Sequence, residues 1–147
     1  MKLSLRPASD QDMAFCESLS RANMRAYHAA RNLAWEPVRF LASWALFENW
    51  MILSGTTVAG LLRLAPESGA LGLRDLQITP EFQGQGIGTW AIRQAQAMTA
   101  SRGIQRLQLR VYEENPAAAL YVRLGFKIES TVNGTLHMAW EPPTRPS

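Results

Sequence analysis

The segment from Leu73 to Met98 constrains the fold more than any other part of the chain. Leu71 to Ile78 is a strand candidate, closed by Thr79-Pro80. The glycine-rich stretch EFQGQGIGTW follows and runs directly into a helix carrying Ile87, Ala91, Ala95 and Met98 on one face. Amides at such a helix entry have no intrahelical acceptor and sit at the positive end of the helix dipole, so they suit an anion. Glycines 84, 86 and 88 let the backbone approach a phosphate closely. A P-loop is excluded because no lysine is present in this stretch. The dinucleotide fingerprint fails because Thr89 stands where its third glycine belongs. A glycine-rich helix entry without a ligand is the alternative reading of the loop.

Around this unit the remaining elements can be placed in order. Lys2 to Arg6 alternates as a half-buried strand does, and Pro7 ends it. Ser9 with Asp12 is a variant capping box opening a helix, with Phe15, Leu19, Ala22 and Ala26 on one face. A second helix begins at Pro37 and runs through Phe40, Leu41, Trp44 and Phe47. Trp50 to Leu53 and Val58 to Leu64 form a hairpin around Gly55. Gly103 stops the helix that follows the glycine loop, and Arg106 to Tyr112 alternates as a strand. Asn115-Pro116 opens a short helix ended by Gly125, before strands 126–132 and 135–140 divided by the Asn133-Gly134 turn. The tail 141–147 reads as frayed. The order β-α-α-β-β-β-α-β-α-β-β predicts a single α/β domain over residues 1–147 with a mixed sheet.

Composition narrows the function classes. With 147 residues, 47% of them hydrophobic and 18% charged, the chain is not disordered, fibrous or disulfide-rich. Cys16 is the only cysteine, so no internal disulfide or cysteine-based metal site is available, and its helical apolar setting predicts a buried, inert thiol. MKLSLRPASD lacks the apolar core of a signal peptide, and Phe40 to Phe47 is too short to span a bilayer. The expectation is a soluble cytoplasmic protein. Fifteen basic residues, thirteen of them arginine, oppose twelve acidic ones for a net charge of +3. Such an excess suits planar carboxylate or phosphate partners. Arginines interleaved with aromatics at 21–39 raise a nucleic-acid reading, which the lack of a longer basic run or binding motif disfavours.

A second chemistry-bearing feature is NPAAALYVRLGF at 115–126. Its small alanines permit close approach of a ligand or strand, and the Tyr121 phenol can donate a proton, although a plain core tyrosine also fits. Taken together, the two features resemble the GNAT superfamily of acyl-CoA-dependent N-acyltransferases. The family pattern Gln/Arg-x-x-Gly-x-Gly/Ala is matched by Gln83, Gly84, Gln85, Gly86, Ile87 and Gly88. Asn115, Ala118, Leu120, Tyr121, Gly125 and Phe126 match Asn-x-x-Ala-x-Leu-Tyr-x-x-x-Gly-Phe at every fixed position. One helix and one strand separate the motifs, and Leu76-x-Ile78-x-Pro80 is similar to the family's fourth strand.

The resemblance implies a GNAT-like fold, with a mixed, mostly antiparallel sheet splayed between its fourth and fifth strands and flanked by helices. It implies acetyl-CoA as cosubstrate and no metal. The pantetheine arm would pair with backbone at Leu76, Gln77 and Ile78, the pyrophosphate would rest on amides from Gln83 to Thr89, and Asn115 and Ala118 would complete the cofactor site. Arg93 or Arg123 would be in reach of the adenosine phosphates. A neutral amine would attack the thioester directly in a ternary complex, with a backbone N–H near Ile78 polarising the carbonyl and Tyr121 as general acid. Asp75 is the candidate base, although Glu36, Glu113, His28 and water stay open. Asn23, Tyr27 and Trp35 are candidate acceptor contacts. Family members that acetylate N-termini of ribosomal proteins carry a glutamate where this chain has Arg110. Arg74 and Arg110 would instead clamp a carboxylate or phosphate on the acceptor, which predicts a small-molecule amine with an acidic group; the alternative is that both arginines sit in surface ion pairs. A non-catalytic acyl-CoA sensor, or an acyltransferase acting on a protein or aminoacyl-tRNA amine, is the alternative. No membrane partner is implied, and a homodimer is compatible with the family.

Overall fold

The structure is a computed structural model that describes residues 2–143, so the part of the predicted tail beyond 143 lies outside the described residues. Residues 141–143 have no regular secondary structure. The elements follow the expected order: β1 (Leu3–Pro7), α1 (Met13–Ala30), α2 (Pro37–Trp44), β2 (Glu48–Ser54), β3 (Thr57–Glu67), β4 (Ala70–Ile78), α3 (Ile87–Ser101), β5 (Leu107–Tyr112), α4 (Ala117–Arg123), β6 (Lys127–Val132) and β7 (Thr135–Trp140). Short 3₁₀ turns at Asp10–Asp12 and Pro80–Phe82 precede α1 and the glycine loop. No helix among the described residues is long and apolar enough to cross a membrane.

The strands form one sheet in the order β1-β2-β3-β4-β5-β7-β6. Every pairing is antiparallel except β4 with β5, which is parallel and holds at only two register pairs, Leu71 with Leu107 and Gly72 with Gln108. The cause lies two residues beyond that seam. Arg63 opposes Asp75 while Leu64 opposes Leu73, so Arg74 is an extra residue in β4. A bulge of this kind bends its strand and raises the local twist. It also moves the core-facing set from odd to even positions: Leu71 and Leu73, then Leu76 and Ile78, all pack on the same cluster. Beyond the bulge β4 departs from β5, and the sheet splays as the resemblance implies. Gly60 helps to hold β4 in place, because a Cβ there would lie 2.2 Å from the Gln77 carbonyl oxygen.

Neighbouring residues on the central strands point to opposite faces, and each face has its own core. Ile52 and Leu62 join the cluster under α3 and α4, with Ile92, Leu107, Met138 and Phe126. Met51 and Leu61 join the other, under α1 and α2, with Cys16, Leu19, Phe40 and Trp44. Each fully buried aliphatic side chain in these layers contributes roughly 1.5–3 kcal/mol.

Two helical expectations differ from the structure. The inward face of α1 carries Cys16, Leu19 and Ser20, while Phe15 is exposed, as are Ala22 and Ala26. Polar Ser20 and Asn23 face the sheet because β4 offers them hydrogen-bond partners, which rotates the buried face away from the apolar one. Helix α2 ends at Trp44 and leaves Phe47 in the turn before β2. The amide of Asn49 caps that end by donating to the carbonyls of Trp44 (2.8 Å) and Phe47 (3.2 Å).

Candidate active site

The splay opens a chamber of about 690 Å³ between β4 and β5. Its β4 wall is Leu73 to Ile78, its β5 wall Leu109 to Tyr112, and Asn115, Ala117 and Tyr121 close one end. The backbone of β4 supplies hydrogen-bonding groups there. Thr79 N–H donates to Ala59 on β3 at 2.9 Å. Antiparallel ladders bond at alternate positions, so Gln77 and Asp75 bond toward β3, while Leu76 and Ile78 turn their N–H and C=O groups toward the gap. The Ile78 carbonyl accepts from the side-chain amides of Asn23 (3.0 Å) and Gln83 (3.1 Å).

At one edge of the chamber, beyond Gln83, lies the glycine loop. Gly84 and Gly86 adopt φ values of 77° and 82°, and a Cβ at Gly84, Gly86 or Gly88 would meet nothing within 4 Å. Gln83 N–H is used in a turn to the Pro80 carbonyl. Among the described residues, the N–H groups from Gly84 to Thr89 have no acceptor, and Trp90 N–H is the first to bond, to the Gly86 carbonyl. The Gln83 and Gln85 side chains fold back onto the carbonyls of Ile78 and Glu81 and brace the loop. A run of free amides at the N-terminus of α3, with open space above the glycines, fits a pyrophosphate. Residues Leu76, Ile78 and Gly84 to Thr89 therefore suit the two anchoring parts of an acyl-CoA.

Tyr121 projects from α4 and is 7% exposed, its ring edge-on to Phe126 at 5.4 Å between centroids. Burial, with a smaller contribution from the Asp75 charge, holds its phenol well above the ordinary value. The protonated, proton-donating form thus persists at neutral pH. Asn115 shapes the entry to α4 by accepting the Ala117 N–H on Oδ1 at 3.0 Å. Ala118 packs against the core while its neighbour Ala117 lines the chamber.

On the α1 side, Asp75 accepts from Ser20 Oγ at 2.7 Å and from Gln77 Nε2 at 2.9 Å, and Asn23 Nδ2 donates to Gln77 Oε1 at 3.1 Å. Asn23 and Tyr27 line the same chamber, where Tyr27 lies 6.1 Å from Tyr112 between ring centroids. Arg74 and Arg110 also line it. Arg74 pairs with Glu67 at 2.9 Å and lies over the Phe47 ring, whereas Arg110 is exposed and makes no ion pair among the described residues. Trp35 lies elsewhere, in a second chamber of about 860 Å³ under α2, with Nε1 donating to Glu17 at 2.8 Å. Met24, Arg74, Asp75 and Tyr112 line both chambers. Tyr112, which the sequence reading did not single out, shares the alternating face of Arg110, and that alternation was the available signal. Arg63 and Ser20 were also missed, because nothing local marks a buried arginine or an inward serine.

Residues 14–126 match the model of the acetyltransferase (GNAT) family. A 67-residue stretch is 37% identical to the uncharacterized N-acetyltransferase MJ1207 of Methanocaldococcus jannaschii, covering 45% of this chain and 30% of that protein. The match thus spans less than a third of that relative's length. The fold is similar to the PaiA N-acetyltransferase of Thermoplasma acidophilum in complex with coenzyme A, at TM-score 0.76 and 19% identity over 97% of this chain and 100% of that one. It is equally similar to the ribosomal-protein-S18-alanine N-acetyltransferase of Escherichia coli, at TM-score 0.76 and 19% identity over 99% and 97%. A domain from M. jannaschii aligns at TM-score 0.79 and 17% identity over 96% and 99%. At such identities the likeness is one of fold.

Proposed function

The chain belongs to the GNAT acetyltransferase family, and on that premise we propose that it transfers an acetyl group from acetyl-CoA to the primary amine of a small acceptor bearing an acidic group. The observation that carries this reading is the unbroken run of free N–H groups from Gly84 to Thr89, set beside the gap-facing backbone of Leu76 and Ile78. Acetyl-CoA, when bound, supplies a thioester whose carbonyl carbon accepts the amine. Residues 84–89 hold the phosphates, and Leu76 and Ile78 pair with the pantetheine amides, so that the acyl end lies between Tyr121 and Asp75. The gap-facing N–H of Leu76, next to Asp75 in β4, polarises the carbonyl oxygen as negative charge grows on it.

Asp75 receives the amine at the wall shared by the two chambers. It first takes a proton from the ammonium, which frees the lone pair to attack the thioester carbon, and the second proton leaves the nitrogen to water as the tetrahedral adduct collapses to the amide. Tyr121 Oη delivers a proton to the sulfur as the C–S bond breaks. Arg110, with no ion pair of its own among the described residues, holds the acidic group of the acceptor, beside Arg74, whose charge Glu67 already offsets. Free-thiol release from acetyl-CoA across a panel of amines tests the proposal. Tyr121→Phe should lower kcat by about 100-fold or more while leaving the KM for acetyl-CoA nearly unchanged. An unchanged kcat would remove Tyr121 from the reaction, and tight coenzyme binding without thiol release for any amine would refute the transferase reading.

A further inference from the structure

We propose that the acceptor is an α-amino acid with a large apolar or aromatic side chain, and that this side chain occupies the second chamber, under α2. The inference rests on the transferase reading above and names its substrate class. The chamber adjoins the site of reaction directly, since Asp75 and Tyr112 belong to both walls. Its volume of about 860 Å³ is far more than an amino group needs.

Its chemistry is apolar in spite of the arginines that line it. Each of them is already paired: Arg39 with Glu36 at 3.7 Å, Arg63 with Asp75 at 3.9 Å, and Arg74 with Glu67 at 2.9 Å. Arg63 is also covered by the rings of Phe40 at 4.2 Å and Phe47 at 4.8 Å. With Ser20 bonded to Asp75 and Ser43 to Arg63, what remains to meet a ligand is mainly aromatic and aliphatic. The Trp35 ring is fixed by its bond to Glu17 and by contacts with His28 and Phe40. Leu33 and Leu46 stand on the rim, 51% and 75% exposed. Large apolar side chains left in water beside a neutral aromatic cavity mark a place where apolar ligand surface is buried. Beyond Asp75, which takes the reacting amine, a polyamine would find only Glu36, at 3.7 Å from Arg39. Amine at Asp75, carboxylate at Arg110 and side chain under α2 satisfy the three walls together.

The test is thiol release from acetyl-CoA with phenylalanine, tryptophan, leucine, glycine, aspartate, lysine and spermidine, with binding of phenylalanine measured by calorimetry in the presence of coenzyme A. The large apolar amino acids should exceed glycine in kcat/KM by about 10-fold or more. Leu46→Glu, on an exposed position, should lower kcat/KM for phenylalanine about 10-fold while the KM for acetyl-CoA stays within roughly twofold. Leu33→Asp should act in the same direction. Preference for glycine, lysine or spermidine would overturn the proposal, as would an unchanged ranking in both rim variants. Phenylalanine binding without thiol release would keep the chamber assignment and remove the transferase reading. If no large apolar amino acid is bound or turned over, the chamber assignment itself is overturned.

Discussion

Arg63 and Asp75 are register partners across the β3–β4 ladder, with Nη1 of the guanidinium 3.9 Å from Oδ2 of the carboxylate. The arginine is 3% exposed and keeps its charge inside the fold. Its Nε donates to Asn49 at 2.8 Å and Nη2 to Ser43 at 2.7 Å, while burial pulls its pKa down and Asp75 opposes that pull. A buried charge is tolerated only when paired and hydrogen-bonded. Asp75→Asn retains a group for Ser20 and Gln77 but strands the cation, and should cost about 2–3 kcal/mol. Arg63→Met removes the charge and leaves its volume filled, so it should cost less. Chemical denaturation of the two variants measures the difference.

The loop amides make a different prediction. Gly86 sits at φ 82°, with open space where a Cβ would be. Gly86→Val should strain the backbone by about 1–3 kcal/mol and place methyl groups over the free amides. The KM for acetyl-CoA should then rise about 10-fold or more, with a smaller change in acceptor KM. Steady-state kinetics with each substrate varied in turn separates the two.

Cys16 is fully buried, with its thiol donating to Met51 Sδ at 3.5 Å, and burial pushes its pKa up to about 12. The native protein should resist thiol reagents at about pH 8. One thiol per chain should react once the protein is denatured. Time-resolved alkylation checks this, and fast labelling of the native state would contradict it.

Two carboxylates tie stability to acid. The hydrogen bond from Arg6 holds Asp12 below its ordinary pKa of 3.8, and that from Arg102 holds Glu48 below 4.5. A carboxyl whose pKa is lower folded than unfolded stabilises the fold above its unfolded value and loses that contribution as pH falls through the folded one. Stability should therefore be level with respect to these groups above about pH 5 and should decline below it. Both pairs are partly solvated, so the slope is modest. Asp12→Asn with Glu48→Gln should flatten the acid side of a denaturation-midpoint profile.

Much of this architecture can be read from residue order alone, because alternation, turn glycines and capping pairs are local signals. The strand–loop–helix unit and Asn115 to Phe126 are of that kind, and they locate the chamber's edges. What escapes local reading is long-range. Ser20 and Asn23 face inward because Asp75, Gln77 and the Ile78 carbonyl wait for them some 55 residues away. Arg63 resembles an ordinary strand arginine until Phe40 and Phe47 close over it. Trp35 shares an aromatic-rich stretch with Tyr27, and only the fold separates the chamber that holds it from the one lined by Asn23 and Tyr27.

The bulge at Arg74 also divides the molecule mechanically. Strands β1–β4 and strands β5–β7 pair in the sheet only at Leu71 and Gly72 of β4, so above the core they share under α3 and α4 the two rafts are moored by a short seam. A molecule that pairs with the open length of β4 and reaches the amides of α3 fastens β4 to the helix that leads into the second raft. Occupancy of the cleft and cohesion of the whole chain then become one equilibrium, and hydrogen exchange along β5 would slow in proportion to the ligand bound.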